Sequence, residues 1–176
     1  MDFGRVLQTI AGFFEQTGYR YAVVGAFGLH AYGMTRGTFD LDFVTESGAQ
    51  PQLVAFLEAL GYETLHASAG YSNHVHGLAA LGRVDFIYVS GETGEHLFAD
   101  CRTMPGPDER PVPVPRPEHL AAMKIQAMKN DPRRTLREME DVRFLLTLPG
   151  INEDEVRGYF DRVGLRDRYD ELRRLR

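Results

Sequence analysis

In the stretch GTFDLDFVTE, residues 37–46, two aspartates interrupt a run of strand-forming apolar residues. A strand sends successive side chains to opposite faces, so Asp40 and Asp42 share one face and Phe39, Leu41 and Phe43 take the other. Two like charges held side by side repel, and at least one pKa rises unless something positive sits between them. Whatever this chain folds into must supply that counter-charge.

The neighbouring segments narrow the architecture. Val6, Leu7, Ile10, Phe13 and Phe14 recur at helical spacing over residues 3–17, and Gly18 ends the pattern. YRYAVVG reads as a short buried strand, AFGLHAYG as a brief helix stopped at Gly33, residues 38–45 as the acidic strand, and 52–60 as a helix closed by Gly61. Three further strands follow: YETLHA, NHVHGLAA and RVDFIYV, with AGYS and LG as turns. This order predicts an α+β fold, a mixed β-sheet backed by helices on one side, and argues against a doubly wound sheet.

MPGPDERPVPVPRP holds six of the nine prolines, which restricts it to an edge strand or connector. Beyond it lie helical patterns at 117–130, 133–148, 152–163 and 165–175. The chain divides near residue 110, giving an α/β core (1–110) and a C-terminal helical segment (111–176).

Composition excludes several classes. At 176 residues, 43% of them apolar, the chain can bury a core. A formal net charge of -5 argues against a generic nucleic-acid coat. A single cysteine, Cys101, forms no internal disulfide, and MDFGRVLQTI has no signal-peptide pattern, which together point to the cytoplasm. No uncharged apolar run reaches about 18 residues, so no membrane span is expected.

Carboxylates at i and i+2 of a strand lie roughly 6–7 Å apart at the backbone, and their oxygens can converge on one Mg²⁺ or bracket two ions. Taken alone, the pair could equally be two surface aspartates. A strand ending in Gly25 and followed by a short helix precedes it; helix N-termini attract phosphate, and glycine permits close approach. Arg36 and Thr38, in TRGT, lie between that helix and the aspartates, and Arg36 could reach the same phosphates. Neither the P-loop nor the Rossmann fingerprint occurs.

Asp85, within RVDFIYV, needs a partner if it is buried. Either Arg83 on the same face neutralises it, or it lies beside the acidic strand and completes a three-carboxylate site. Lys124 stands among Leu120, Met123, Ala127 and Met128 on its helix, where it either snorkels to solvent or points into a cleft. His74 and His76 share a face but lack a third metal ligand. The many C-terminal arginines, Arg133 through Arg176, are mixed with acids and read as a solvated face or as an RNA docking surface.

VVGAFGLHAYGMTRGTFDLDF, followed by a lone strand aspartate, resembles the DNA polymerase β-like nucleotidyltransferase superfamily. RPEHLAAMKIQAMKND and REMEDVRFLL look like the helical half of AbiEii-type nucleotidyltransferases, known from toxin–antitoxin and phage-defence pairs. The resemblance covers roughly residues 20–148 and implies the minimal nucleotidyltransferase fold. It assigns Mg²⁺ or Mn²⁺ to Asp40, Asp42 and Asp85, the last also serving as base, and matches Gly25 to the phosphate-loop glycine. Ala26 stands where glycine or serine is usual, losing a hydroxyl contact and keeping the backbone N–H. Lys124 and Asp141 match the lysine and aspartate of the helical motifs, although Asp141 could also pair with Arg137 one helical turn earlier.

The resulting expectation is transfer of a nucleotidyl group from an NTP to a hydroxyl acceptor, with tRNA or another RNA favoured as acceptor and a cognate antitoxin protein as a further partner. The rival expectation is a catalytically silent binding module on the same scaffold.

Overall fold

The computed structural model describes residues 1–174; Leu175 and Arg176, at the end of the last expected helix and of the arginine series, lie outside the described residues. The chain divides into two compact units, Met1–Pro115 and the segment from Arg116 onward.

The first unit opens with helix α1 (Phe3–Thr17), where the Asp2 side chain accepts a hydrogen bond from the Arg5 N–H at 3.0 Å and Gly18 closes the helix at φ 74°. Strand β1 (Tyr21–Val23), helix α2 (Gly25–Ala31), strand β2 (Asp40–Glu46) and helix α3 (Gln50–Ala59) follow. Then come β3 (Tyr62–Ala67), β4 (Tyr71–His76) and β5 (Arg83–Val89). The five strands form one mixed sheet in the order β1-β2-β5-β4-β3, parallel only between β2 and β5. This is the expected α+β arrangement.

Alternation along the strands sorts the sheet into two faces. Leu41, Phe43, Val84 and Phe86 are fully buried on one, with Phe43 and Phe86 stacked at 5.2 Å. Phe14 of α1 stacks on Tyr21 at 4.5 Å, and Phe13 meets Phe56 of α3 at 4.9 Å. Burying each such ring contributes roughly 1.5–3 kcal/mol, so this aromatic layer anchors the sheet. Asp40, Asp42 and Asp85 project from the other face.

Three local details differ from expectation. Strand β2 starts at Asp40, so Thr38 and Phe39 precede it. Strand β4 stops at His76, because Gly77–Leu81 turn back with the Leu81 N–H bonded to the Leu78 carbonyl at 2.9 Å. A helix unanticipated from the sequence, α4 (Gly91–Ala99), follows β5. The proline tract contributes to a separate two-stranded sheet of β6 (Arg102–Pro105) and β7 (Pro111–Val114).

The second unit is helical: α5 (Pro117–Asn130), α6 (Thr135–Leu145), α7 (Glu153–Val163) and α8 (Arg166–Arg174). Among the described residues no helix is long and apolar enough to cross a membrane.

Candidate active site

Parallel pairing of β2 with β5 sets Asp42 directly opposite Asp85 and Asp40 opposite Arg83. Asp40, Asp42 and Asp85 are part-buried, and each offers an oxygen within 4.8 Å of the others'. Three hard oxygen donors crowded this closely repel one another, and they suit a divalent cation that prefers oxygen ligands. The donor set fits Mg²⁺ or Mn²⁺.

Arg83 belongs to the same cluster. Its Nε donates to both Asp85 oxygens, at 2.9 and 3.1 Å. That hydrogen bond, reinforced by the charges of Asp85, Asp40 and Asp42, holds the guanidinium above its ordinary pKa. The two alternatives for Asp85 therefore coincide: it is paired with Arg83 and it also sits against the acidic strand.

Gly25 is shaped by this cluster. Its φ is +59°, and a Cβ placed there would lie 1.9 Å from Asp42 Oδ2. The preceding Val24 N–H donates to the Asp42 carbonyl at 2.9 Å, tying the end of β1 to the acidic strand just where α2 begins. Ala26 is 2% exposed, its methyl in the core. Thr38 Oγ1 donates to Asp40 Oδ1 at 2.5 Å, fixing that carboxylate from outside the strand. His30 Nε2 bonds the Arg36 carbonyl at 2.7 Å and packs edge-on against Phe27, so a packed histidine holds the loop that carries Arg36.

Lys124 and Asp141 meet in the helical unit. Lys124 Nζ lies 2.8 Å from Asp141 Oδ2 and 3.1 Å from Glu138 Oε2. The ammonium is thus paired inside the unit, and Asp141 joins it across two helices. Burial pushes the Glu138 carboxyl up, but Lys124 and Arg134 outweigh it and hold the group below its usual range. Glu138 is absent from the sequence-derived set; its i,i+4 spacing from Arg134, whose Nε donates to it at 2.9 Å, was the available signal.

Two further positions escape sequence reasoning. Phe39, next to Asp40, is 91% exposed although alternation assigns it to the apolar side. Asn73 is the register partner of Asp85 on β4, a neighbour only sheet order reveals. His74 and His76 each have protein partners. His74 bonds Thr64 Oγ1 and Ser72 Oγ, whereas His76 Nδ1 accepts from the Leu78 N–H at 2.9 Å.

A mixed sheet of this order backed by helices is the nucleotidyltransferase fold. No family model and no curated protein matches the chain. Among solved structures, the solution structure of the antibiotic-resistance factor ANT(2'')-Ia superposes with a TM-score of 0.67 at 17% identity, covering 99% of this chain and 97% of that one. A crystal structure of ANT(2'')-Ia with adenylyl-2''-tobramycin gives 0.66 at 17% identity, over 94% and 97% of the two chains. A nucleotidyltransferase-like protein from Paracoccidioides brasiliensis gives 0.59 at 15% identity, over 97% and 91%. At such identities the likeness establishes the fold.

Proposed function

We propose that the protein is a divalent-metal-dependent nucleotidyltransferase that moves a nucleoside monophosphate from an NTP to a hydroxyl acceptor. The observation that carries this reading is the convergence of Asp40, Asp42 and Asp85 to within 4.8 Å at adjoining parallel strands. In this reading the three carboxylates hold Mg²⁺ or Mn²⁺, which supplies counter-charge for the α-phosphate and for the departing pyrophosphate. The acceptor oxygen bonds to the α-phosphorus as the bond to the β-bridging oxygen breaks, and pyrophosphate leaves with that electron pair.

The chain's own groups position and deprotonate. Asp85 takes the proton of the attacking hydroxyl while Arg83 stabilises the carboxylate beforehand, and Thr38 keeps Asp40 in its ligand orientation. Backbone N–H groups at Gly25 and Ala26, with Arg36, hold the triphosphate. Lys124 and Asp141 pair within the helical unit, where the ammonium neutralises two buried carboxylates.

As to setting, the resemblance to AbiEii-type proteins adds a cognate antitoxin and an RNA acceptor. The likeness to a structure bound to adenylyl-2''-tobramycin supports instead a small hydroxylated acceptor. Incubation with α-labelled NTPs, Mg²⁺, total cellular RNA and tobramycin tests the reading. Label transfer by the wild type, abolished in Asp42→Ala, is the expected result. No transfer to any acceptor would leave the catalytically silent module as the description of the chain.

A further inference from the structure

The sheet continues well beyond the acids. Cross-strand register places Asp42, Asp85, Asn73 and His66 in one row over four neighbouring strands, all on the acidic face. The row beside it holds Ile87 and Tyr71, opposite each other on β5 and β4 and 38% and 46% exposed. His66 stacks on Tyr71, with ring centroids 4.6 Å apart and 17° between planes. Ile87, Tyr71 and His66 together offer apolar and aromatic surface beside the cluster of acids.

Charge decides what the surface accepts. Residues 1–115 carry thirteen acidic side chains against six arginines and no lysine, a formal net charge of -7. Across β2, β5, β4 and β3 the one arginine or lysine is Arg83, and its Nε is engaged by Asp85. An RNA docking there would bring phosphates to four strands with a single arginine to neutralise them, and that neutralisation is the main source of nucleic-acid affinity. A cationic compound meets the opposite situation, and an ammonium over the Tyr71 ring gains further attraction.

Size gives the remaining constraint. Tyr71 lies one strand across and two residues along from Asp85, about 8 Å, and His66 lies two strands away, about 10 Å. A molecule with a hydroxyl at Asp85 and rings reaching Tyr71 and His66 must contain two or more rings.

From these observations we infer that the face formed by Ile87, Tyr71, Asn73 and His66 seats the acceptor, and that the acceptor is a polycationic, hydroxyl-bearing, multi-ring compound. This rests on the transfer reading above. Asn73 orients the hydroxyl beside Asp85, Tyr71 and His66 carry the rings, and the surrounding acids attract the ammonium groups.

Calorimetric titration with tobramycin in the absence of NTP tests this without depending on catalysis. Wild-type protein binds tobramycin with an affinity that falls as salt is raised. Tyr71→Ala weakens binding at least tenfold, and Ile87→Ser weakens it to a similar degree, while thermal unfolding and MgATP affinity stay unchanged in both. No binding to the folded wild type, binding indifferent to both substitutions, or tighter binding of a short CCA-ended RNA through Tyr71 would overturn the inference. Absence of label transfer by the wild type bears on the transfer reading alone, so the two failures are distinguishable.

Discussion

At position 25 a side chain would collide with the acid it serves. Gly25 adopts φ +59° and packs against Asp42 Oδ2, so Gly25→Ala carries a left-handed backbone cost of about 1–2 kcal/mol and also displaces the carboxylate. Thermal unfolding should show the modest loss, while nucleotidyl transfer should fall far more, by 100-fold or beyond. Equal, small losses in both would separate Gly25 from the site. Arg83 offers a second residue-scale prediction. Removing its charge in Arg83→Gln takes a neighbouring cation away from the three acids, so Mg²⁺ should bind more tightly and raise the melting temperature more than in wild type. Ligand at ten times its Kd adds about 1.4 kcal/mol, which differential scanning fluorimetry resolves. The aspartates, Gly25, Arg36 and Lys124 were readable as candidates because charge in an apolar pattern stands out in one dimension. Asn73, Phe39 and Glu138 were not, since their significance lies in sheet order, strand ends and helix pairing.

Two elements hold buried polar groups whose energetics can be measured. Beneath the sheet, Thr64 Oγ1 gives its proton to Glu58 at 2.8 Å, so His74 Nδ1 donates to Thr64, while Ser72 Oγ bonds both His74 Nε2 and Tyr88 Oη at 2.7 Å. In the neutral ring Nε2 accepts from Ser72 Oγ, and burial favours that form. Burial, opposed by the charges of Asp85 and Glu58, holds His74 below its ordinary value of 6.5. As pH falls the unfolded chain takes up this proton first, so stability is complete above the ordinary value and declines below it, down to the folded value. The slope reaches about 1.4 kcal/mol per pH unit. His74→Gln, which cannot titrate, should flatten urea-unfolding stability between pH 5 and 7. In the helical unit, Lys124→Ala takes the ammonium away from Glu138 and Asp141, which are 0% and 1% exposed. Removing one partner of such a cluster costs about 3–5 kcal/mol, so the urea midpoint should drop sharply. Helix and strand positions were readable from spacing, whereas α4 was not: GETGEHLFA shows its apolar face only at Leu97 and Phe98.

For the whole molecule, the order of elements was enough to expect a mixed sheet backed by helices, and the structure has that fold. What the order left open was which strands adjoin. Placing β5 next to β2, with β3 and β4 beyond, brings Asp85 to Asp42 although 43 residues separate them in sequence. That single adjacency turns a strand with two acids into a cluster of three. Titration of Mn²⁺ into the protein with ATP, followed by electron paramagnetic resonance, tests the cluster most directly. Wild type should bind Mn²⁺, and Asp42→Asn should lose that binding while remaining folded; Mn²⁺ bound equally by both, or by neither, would contradict the metal site.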